Sequence, residues 1–221
     1  MGDLLDCITV VPGVVGAFRV SAINKVGGFS TNTLAEDTDL TFAIKKAGYK
    51  IVYDQAAIAY TEAPQNYRDW LKQRYRWTFG TMQAVWKHRT SFLNPAHNNF
   101  GMIGLPYLVV YQIIFPLLNP VFDLVLVIGL ITGRINLMVI ALAAYTVLDF
   151  IYAGIALKLD REKLFNLWLI IPQRIIYRPF QYYIIVKSFL NVLKGQWVGW
   201  NKLKREGKLL AKMQKSGFSK T

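Results

Sequence analysis

The chain has little that a metal site or a disulfide scaffold would need. Its 221 residues include one cysteine, Cys7, so no intramolecular disulfide forms. The only two histidines, His88 and His97, stand nine apart and give no metal-ligand spacing. Charged residues make up 18% of the chain, below the ~25% of soluble domains, while 53% is hydrophobic. That balance excludes a disordered chain. No signal peptide is read: Met1–Asp6 lacks a basic n-region, and Ile8–Val15 is interrupted by Pro12 and Gly13.

The charge present is basic, +13 net, and unevenly spread. Residues 1–100 carry 11 basic and 8 acidic side chains, residues 101–193 carry 7 and 4, and residues 194–221 carry 8 and 1. A mixed-charge globular part, an apolar part and a basic tail follow one another. A basic tail after apolar helices fits the positive-inside rule and anionic lipid. Nucleic acid is not the expected partner, because residues 1–100 are nearly neutral and no aromatic–basic stacking stripe is present.

In the globular part, Ile8–Val11 reads as a strand ending at the Pro12-Gly13 turn. Val14–Val20 reads as a second strand or an extended loop, and a short helix from Ser21 stops at Gly27-Gly28. Leu40, Phe42, Ala43, Ile44 and Ala47 share a helical face that Gly48 ends. Lys50–Tyr53 and Ala57–Tyr60 read as further strands, so the expected class is α/β. Glu36, Asp37 and Asp39 fall at the loop-to-helix junction. They can complement the helix dipole. Read as a metal-binding D-x-D, Asp37 and Asp39 would point about 200° apart on a helix and would not converge on a cation.

Tyr67–Lys87 is a long amphipathic run. On a helix, Gln73, Arg76, Trp77 and Gly80 share one face, with Trp70 and Arg74 beside it. Two readings stand: an interfacial helix with Trp and Arg at headgroup level, or a donor-rich surface suited to an oxyanion and a sugar ring. Gly101–Gly133 contains a single charge, Asp123, and is too long for one ~30 Å hydrocarbon core. Breaks at Pro116, Asn119 and Pro120 suggest two spans or half-spans near 102–118 and 121–132, a re-entrant pair being the alternative. Ile135–Leu157 and Leu164–Leu193 add two more, which returns Lys202–Arg205 to the side of residues 1–100. Asp123, Asp149, Gln173, Arg174 and Arg178 should face the bundle interior or the interface. They would either line a path for a hydrophilic chain or mark a boundary and snorkel.

Glu36-Asp37 followed by Gln73-Arg74-Tyr75-Arg76-Trp77 resembles the E-D and Q-x-x-R-W pair of processive family 2 glycosyltransferases, the cellulose, hyaluronan and poly-N-acetylglucosamine synthases. Gly16-Ala17-Phe18-Arg19, Val26-Gly27-Gly28-Phe29, Gly48-Tyr49-Lys50-Ile51 and Glu62-Ala63-Pro64 lie in that family's order. Trp197-Val198-Gly199-Trp200 and the basic end are similar to the poly-N-acetylglucosamine branch.

The resemblance implies the C-terminal half of a GT-A-like α/β catalytic domain over 1–66 and an interfacial helix and connector over 67–100. It further implies a transmembrane region of about four crossings over 101–193 and a basic cytoplasmic tail over 194–221. It implies a multi-pass protein of the cell membrane whose catalytic part faces the cytoplasm. Asp37 would be the general base for the acceptor hydroxyl. Gln73 and Arg76 would hold the diphosphate or the acceptor end, Trp77 would face the terminal sugar, and Arg74 would stand with them. Phe18 and Arg19 would lie near the acceptor path, and Glu36 would orient Asp37 or a substrate hydroxyl. The donor would be a UDP-sugar, GlcNAc first, and the acceptor a growing polysaccharide. The family's Mg²⁺ or Mn²⁺ and its nucleotide site belong to a half for which the residues before Gly16 leave no room. The expectation is therefore a chain inactive alone, with a second chain as one source of that half. A non-catalytic membrane subunit of a polysaccharide export system is the competing reading.

Overall fold

The computed structural model describes residues 5–54, 56–159 and 162–194. They form two compact units. The first holds residues 5–112 and 187–194, the second residues 113–186.

Three helices organise the first unit. Helix α1, Val20–Val26, ends where Gly27 adopts φ 82°, a left-handed conformation that glycine takes without strain. Helix α2 is Glu36–Lys46, with Glu36, Asp37 and Asp39 in its first turn and Lys45 and Lys46 in its last, each at the end its charge favours. Helix α3 is Tyr67–Lys87. Asn66 caps it reciprocally with Asp69: its side chain accepts from the Asp69 N–H at 2.9 Å and donates to the Asp69 carboxylate at 2.7 Å.

From Phe100 to Ile131 the chain stays helical. A π-turn at Phe100–Gly104 leads into α4, Leu105–Val109. A second π-turn at Val110–Ile114 leads into α5, Phe115–Ile131. The break expected around Pro116–Pro120 does not occur. The π-turn sits directly before Phe115-Pro116, where the wider winding accommodates a residue with no N–H to give. The length of this run also has an explanation. Phe100, Leu105 and Leu108 are buried with Phe42 and Ala84 in the core of the first unit, so the start of the run is core rather than span.

Residues 5–11 strap across α2. The Lys45 ammonium, its side chain buried, pairs with Asp6 at 2.5 Å. Thr41 Oγ1 accepts from the Val11 N–H at 3.0 Å and donates to the Asp37 carbonyl at 2.7 Å. Asn99 donates to the Leu5 carbonyl at 2.9 Å. The strands expected at Ile8–Val11, Lys50–Tyr53 and Ala57–Tyr60 are not formed among the described residues, and with them the α/β pattern is not seen there, while Val14–Val20, open between a strand and an extended loop, is turn and loop up to the start of α1 at Val20. A strand exists only through a ladder, and these segments bond otherwise or not at all. Val11 gives its N–H to a threonine side chain, and Val52, Tyr53, Ile58 and Tyr60 are exposed.

Helices α2 and α3 are clasped at one end by Asp39, which is 2% exposed. Its carboxylate meets His88 Nε2 at 2.7 Å and accepts from Lys87 at 2.6 Å, and Lys87 also donates to Ser30 at 3.0 Å. The Phe42 and His88 rings pack edge-to-face at 5.6 Å between centroids. Burial raises the Asp39 pKa, but the hydrogen bonds from His88 and Lys87 and the Lys87 charge outweigh it and leave the group below its ordinary value of 3.8.

In the second unit, α5 is followed by α6, Ile135–Leu159. Then come a 3₁₀ segment Leu164–Leu169, the short α7 Ile170–Pro172, a π-turn Gln173–Tyr177 and the start of α8, Arg178–Leu193. Phe100–Ile131 and Met138–Leu159 are long and apolar enough to cross a membrane. Polar groups on these elements pair with one another. Arg174 donates to Asp149 at 2.6 Å and to Thr146. Arg178 donates to Tyr145, lies 3.8 Å from Asp123 and 3.7 Å from Asp149, and Tyr182 donates to Asp123. Both guanidiniums stack on the Tyr145 ring at 4.8 Å. Arg174 and Arg178 therefore pair with carboxylates of neighbouring helices rather than simply snorkelling. The basic tail and Trp197–Trp200 lie outside the described residues.

Two outcomes follow. Phe42→Ala removes a fully buried ring and should cost about 3–5 kcal/mol in unfolding free energy, read by thermal or denaturant unfolding of the chain. Asp39→Asn tests the clasp by pH. The folded-state pKa of Asp39 is depressed, so its stabilisation is present above the unfolded value and is lost as pH falls through the folded one. The variant should lose about 2 kcal/mol at pH 7, and its deficit should shrink in unfolding experiments taken from about pH 5 towards pH 2.

Candidate active site

The helices that carry the two motifs approach closely because one residue of α3 has no side chain. Gly80 is buried against the entrance to α2: a Cβ on it would lie 2.4 Å from the Ala35 nitrogen and 2.9 Å from the Leu34 carbonyl carbon. Three residues further on, Gln83 accepts from the Leu34 N–H at 3.0 Å. Gln73, Arg76 and Trp77 stand seven, four and three residues before Gly80 and share its face of α3. The contact at Ala35 puts Gly80 at the entrance to α2, whose first turn carries Glu36 and Asp37, and the stripe runs from Gly80 back towards the start of α3.

Asp37 is half-buried, and backbone donors hold both its carboxylate oxygens. Its Oδ1 accepts from the Thr38 N–H at 2.8 Å, and Oδ2 accepts from the Gly13 N–H at 3.3 Å. Its backbone carbonyl is held by Thr41. Such a carboxylate keeps lone pairs for a further donor, as a general base requires. Glu36 is half-buried one residue earlier.

On α3, Gln73 and Arg76 are half-buried, and Trp77 is 45% exposed. Arg74 stacks on two indoles, 4.9 Å from Trp77 and 5.9 Å from Trp70, and its Nε is buried without a hydrogen-bond partner among the described residues. Tyr75 stacks on Phe79 and its hydroxyl accepts from Asn191 at 2.6 Å, so α3 is also tied to the end of α8 within this unit. Phe18 packs edge-to-face on Phe29 at 6.3 Å, and Arg19 is the exposed N-cap residue of α1. Neither makes a described contact with Asp37.

The Mg²⁺ or Mn²⁺ implied by the resemblance does not fit the residues present. No group of three His, Cys, Asp or Glu that could hold a metal is found among the described residues. Asp37 and Asp39 carboxylates serve different partners, Gly13 and Thr38 for one, His88 and Lys87 for the other. Sequence reasoning missed Gly13 as a donor to Asp37 and His88 as the partner of Asp39. The Pro12-Gly13 turn was the only linear signal for the first. Nothing in spacing could pair residues 49 apart.

Comparison with known proteins adds the family. Residues 1–153 match the family model described as glycosyl transferase family group 2. The chain is 39% identical over 85 residues to the probable glycosyltransferase YdaM of Bacillus subtilis (strain 168), covering 38% of this chain and 20% of that protein. It is 33% identical over 78 residues to the probable glucomannan 4-beta-mannosyltransferase 4 of Oryza sativa subsp. japonica, covering 35% and 14%. It is 30% identical over 87 residues to the probable glucomannan 4-beta-mannosyltransferase 1 of Arabidopsis thaliana, covering 36% and 16%. The matched stretches thus span a fifth or less of these curated relatives. No solved structure matches the chain. With more than half of its length in the family model and an E-D segment packed beside a Q-x-x-R-W helix, the chain belongs to glycosyl transferase family group 2.

Proposed function

We propose that this chain is the acceptor-handling part of a membrane glycosyltransferase that adds sugars to a growing polysaccharide with inversion. The observation that carries the reading is the close approach at Gly80, which packs the helix bearing Gln73, Arg76 and Trp77 against the entrance to the helix bearing Asp37. In the step proposed, an acceptor hydroxyl attacks the anomeric carbon of a nucleotide-activated sugar. The glycosidic C–O bond forms, the bond to the diphosphate breaks, and Asp37 takes the hydroxyl proton. Gln73 and Arg76 stabilise the negative charge that develops on the departing diphosphate or orient the acceptor end. Trp77 offers an exposed indole face to the terminal sugar. Glu36 orients Asp37 or a substrate hydroxyl, Arg74 supports this surface, and Phe18 and Arg19 border the acceptor path.

The donor proposed is a UDP-sugar, with GlcNAc as the sugar. Two plant relatives are named as mannosyltransferases, so a mannosyl donor is the contrasting outcome of a donor screen. The chain is placed in the cell membrane as a multi-pass protein, with residues 1–100 and the tail on the cytoplasmic side. The nucleotide- and metal-binding half is proposed to come from outside these 221 residues, a second chain being one source, and the chain alone is proposed not to turn over.

The test is polymer synthesis in membranes of cells that produce the chain in its native gene context. Asp37→Asn should lower the rate by at least about 10²-fold while membrane insertion is retained. Polymer made at the parent rate by the inserted variant would instead support a non-catalytic scaffold. Gly80→Val places branches where Ala35 and Leu34 already stand, so it should cut synthesis as deeply as Asp37→Asn without touching a proposed catalytic group. Turnover of a UDP-sugar by the purified chain alone would overturn the proposal of an external donor half.

A further inference from the structure

We infer that Asp39, with His88 and Lys87, is a positioning element for the transfer site: it fixes the register of α3 on α2 and so decides where the Gln73–Arg76–Trp77 stripe meets Asp37. This inference rests on the transferase reading above.

Asp39 is two residues from the proposed base yet takes no part in the proposed chemistry. Its carboxylate is buried and engaged twice, by His88 at 2.7 Å and by Lys87 at 2.6 Å. Both partners stand at the C-terminal end of α3. His88 completes the anchor: with Nε2 at the carboxylate, the tautomer protonated there supplies the hydrogen bond, and Phe42 packs edge-to-face with the ring. Lys87 carries the tie on to Ser30, in the loop ahead of α2.

A single contact between two helices leaves them free to roll and slide. Here Gly80, Gln83, Ala84 and the pair Lys87–His88 follow one another along one stripe of α3 against α2 and its entrance. Gly80 touches Ala35, and seven and eight residues later Lys87 and His88 hold Asp39. On α2 the matching points are Ala35 and Asp39, four residues apart in the same chain direction. The Asp39 clasp is the charged anchor at the far end of this stripe from Gly80, and with the other contacts it sets both the rotation and the slide of α3. The stripe then continues towards Trp77, Arg76 and Gln73 past the N-terminal end of α2, where Asp37 stands. Losing the Asp39 anchor frees a rotation that swings this stripe, and near-ångström misplacement at a reacting centre costs rate out of proportion to stability.

The experiment has two arms. The first needs no turnover. Leu34→Cys and Gln83→Cys, introduced with Cys7→Ser in the full chain, report the register through the rate of disulfide formation, because the Gln83 side chain reaches the Leu34 backbone. The second measures transfer in native-context membranes over a range of nucleotide-sugar concentrations. Asp39→Asn should slow cross-linking at least tenfold. It should lower kcat at least tenfold with the KM for the nucleotide sugar within twofold, and Asp39→Glu should recover part of both. Unchanged cross-linking and kcat in folded Asp39→Asn would overturn the inference. Slowed cross-linking with unchanged kcat would overturn it too, leaving a clasp of no consequence for transfer. If Asp39→Asn does not fold, His88→Gln, which keeps a donor near the carboxylate, is read by the same criteria. If the parent chain supports no transfer in those membranes, the transferase reading fails and this inference with it, and the cross-linking arm still shows whether Asp39 sets the register.

Discussion

Helix α3 can lie against the entrance of α2 only because nothing projects from Gly80. The Ala35 nitrogen occupies the space where a Cβ would be, so even alanine would force the two segments apart. Everything proposed about the site depends on that approach. Asp37 stands about half a turn from the contact at Ala35, and Trp77, Arg76 and Gln73 stand within two turns of Gly80 on α3. The residue with the least chemistry of its own thus decides whether the chemically equipped residues share a region.

Three carboxylates fall within four residues, and surroundings rather than spacing give them different work. Glu36 is half-buried at the helix start. Asp37 is held by two backbone N–H groups at an edge that still admits solvent. Asp39 is sealed from water, where an ionised carboxylate is tolerated because His88 and Lys87 supply donors and charge. A linear D-x-D cannot display this division. Helical geometry separates Asp37 from Asp39, and the tertiary neighbours then assign the roles.

The second unit applies the same rule in an apolar setting. Two arginines that would be costly in a hydrocarbon environment are matched with two aspartates on other helices, and both guanidiniums lie against the Tyr145 ring. Burying such groups demands satisfied partners, so their pairing ties α5, α6 and the segment from Gln173 onwards to one another. The sequence supplied the inventory of these groups and the expectation that they turn inward. Which aspartate takes which arginine emerges only from the packed helices.

Periodicity alone determined much of this protein. The apolar stripe and Gly48 locate α2, the amphipathic run Tyr67–Lys87 coincides with α3, and paired glycines end α1, because helix formation is governed by local spacing and local caps. The family resemblance was legible for the same reason, as short motifs in a fixed order. Strands were not decided locally: β-rich segments such as Lys50–Tyr53 and Ala57–Tyr60 have no ladder here, since a strand requires a partner that composition cannot supply. The unbroken helix through Pro116 was not legible either, because a π-turn one residue ahead absorbs what a proline ordinarily breaks. Tertiary structure alone decided that Gly13 donates to Asp37, that His88 and Lys87 anchor Asp39, and that Gly80 admits Ala35. Each joins residues far apart in the chain, and which of the possible long-range contacts form is settled only when the core closes around them.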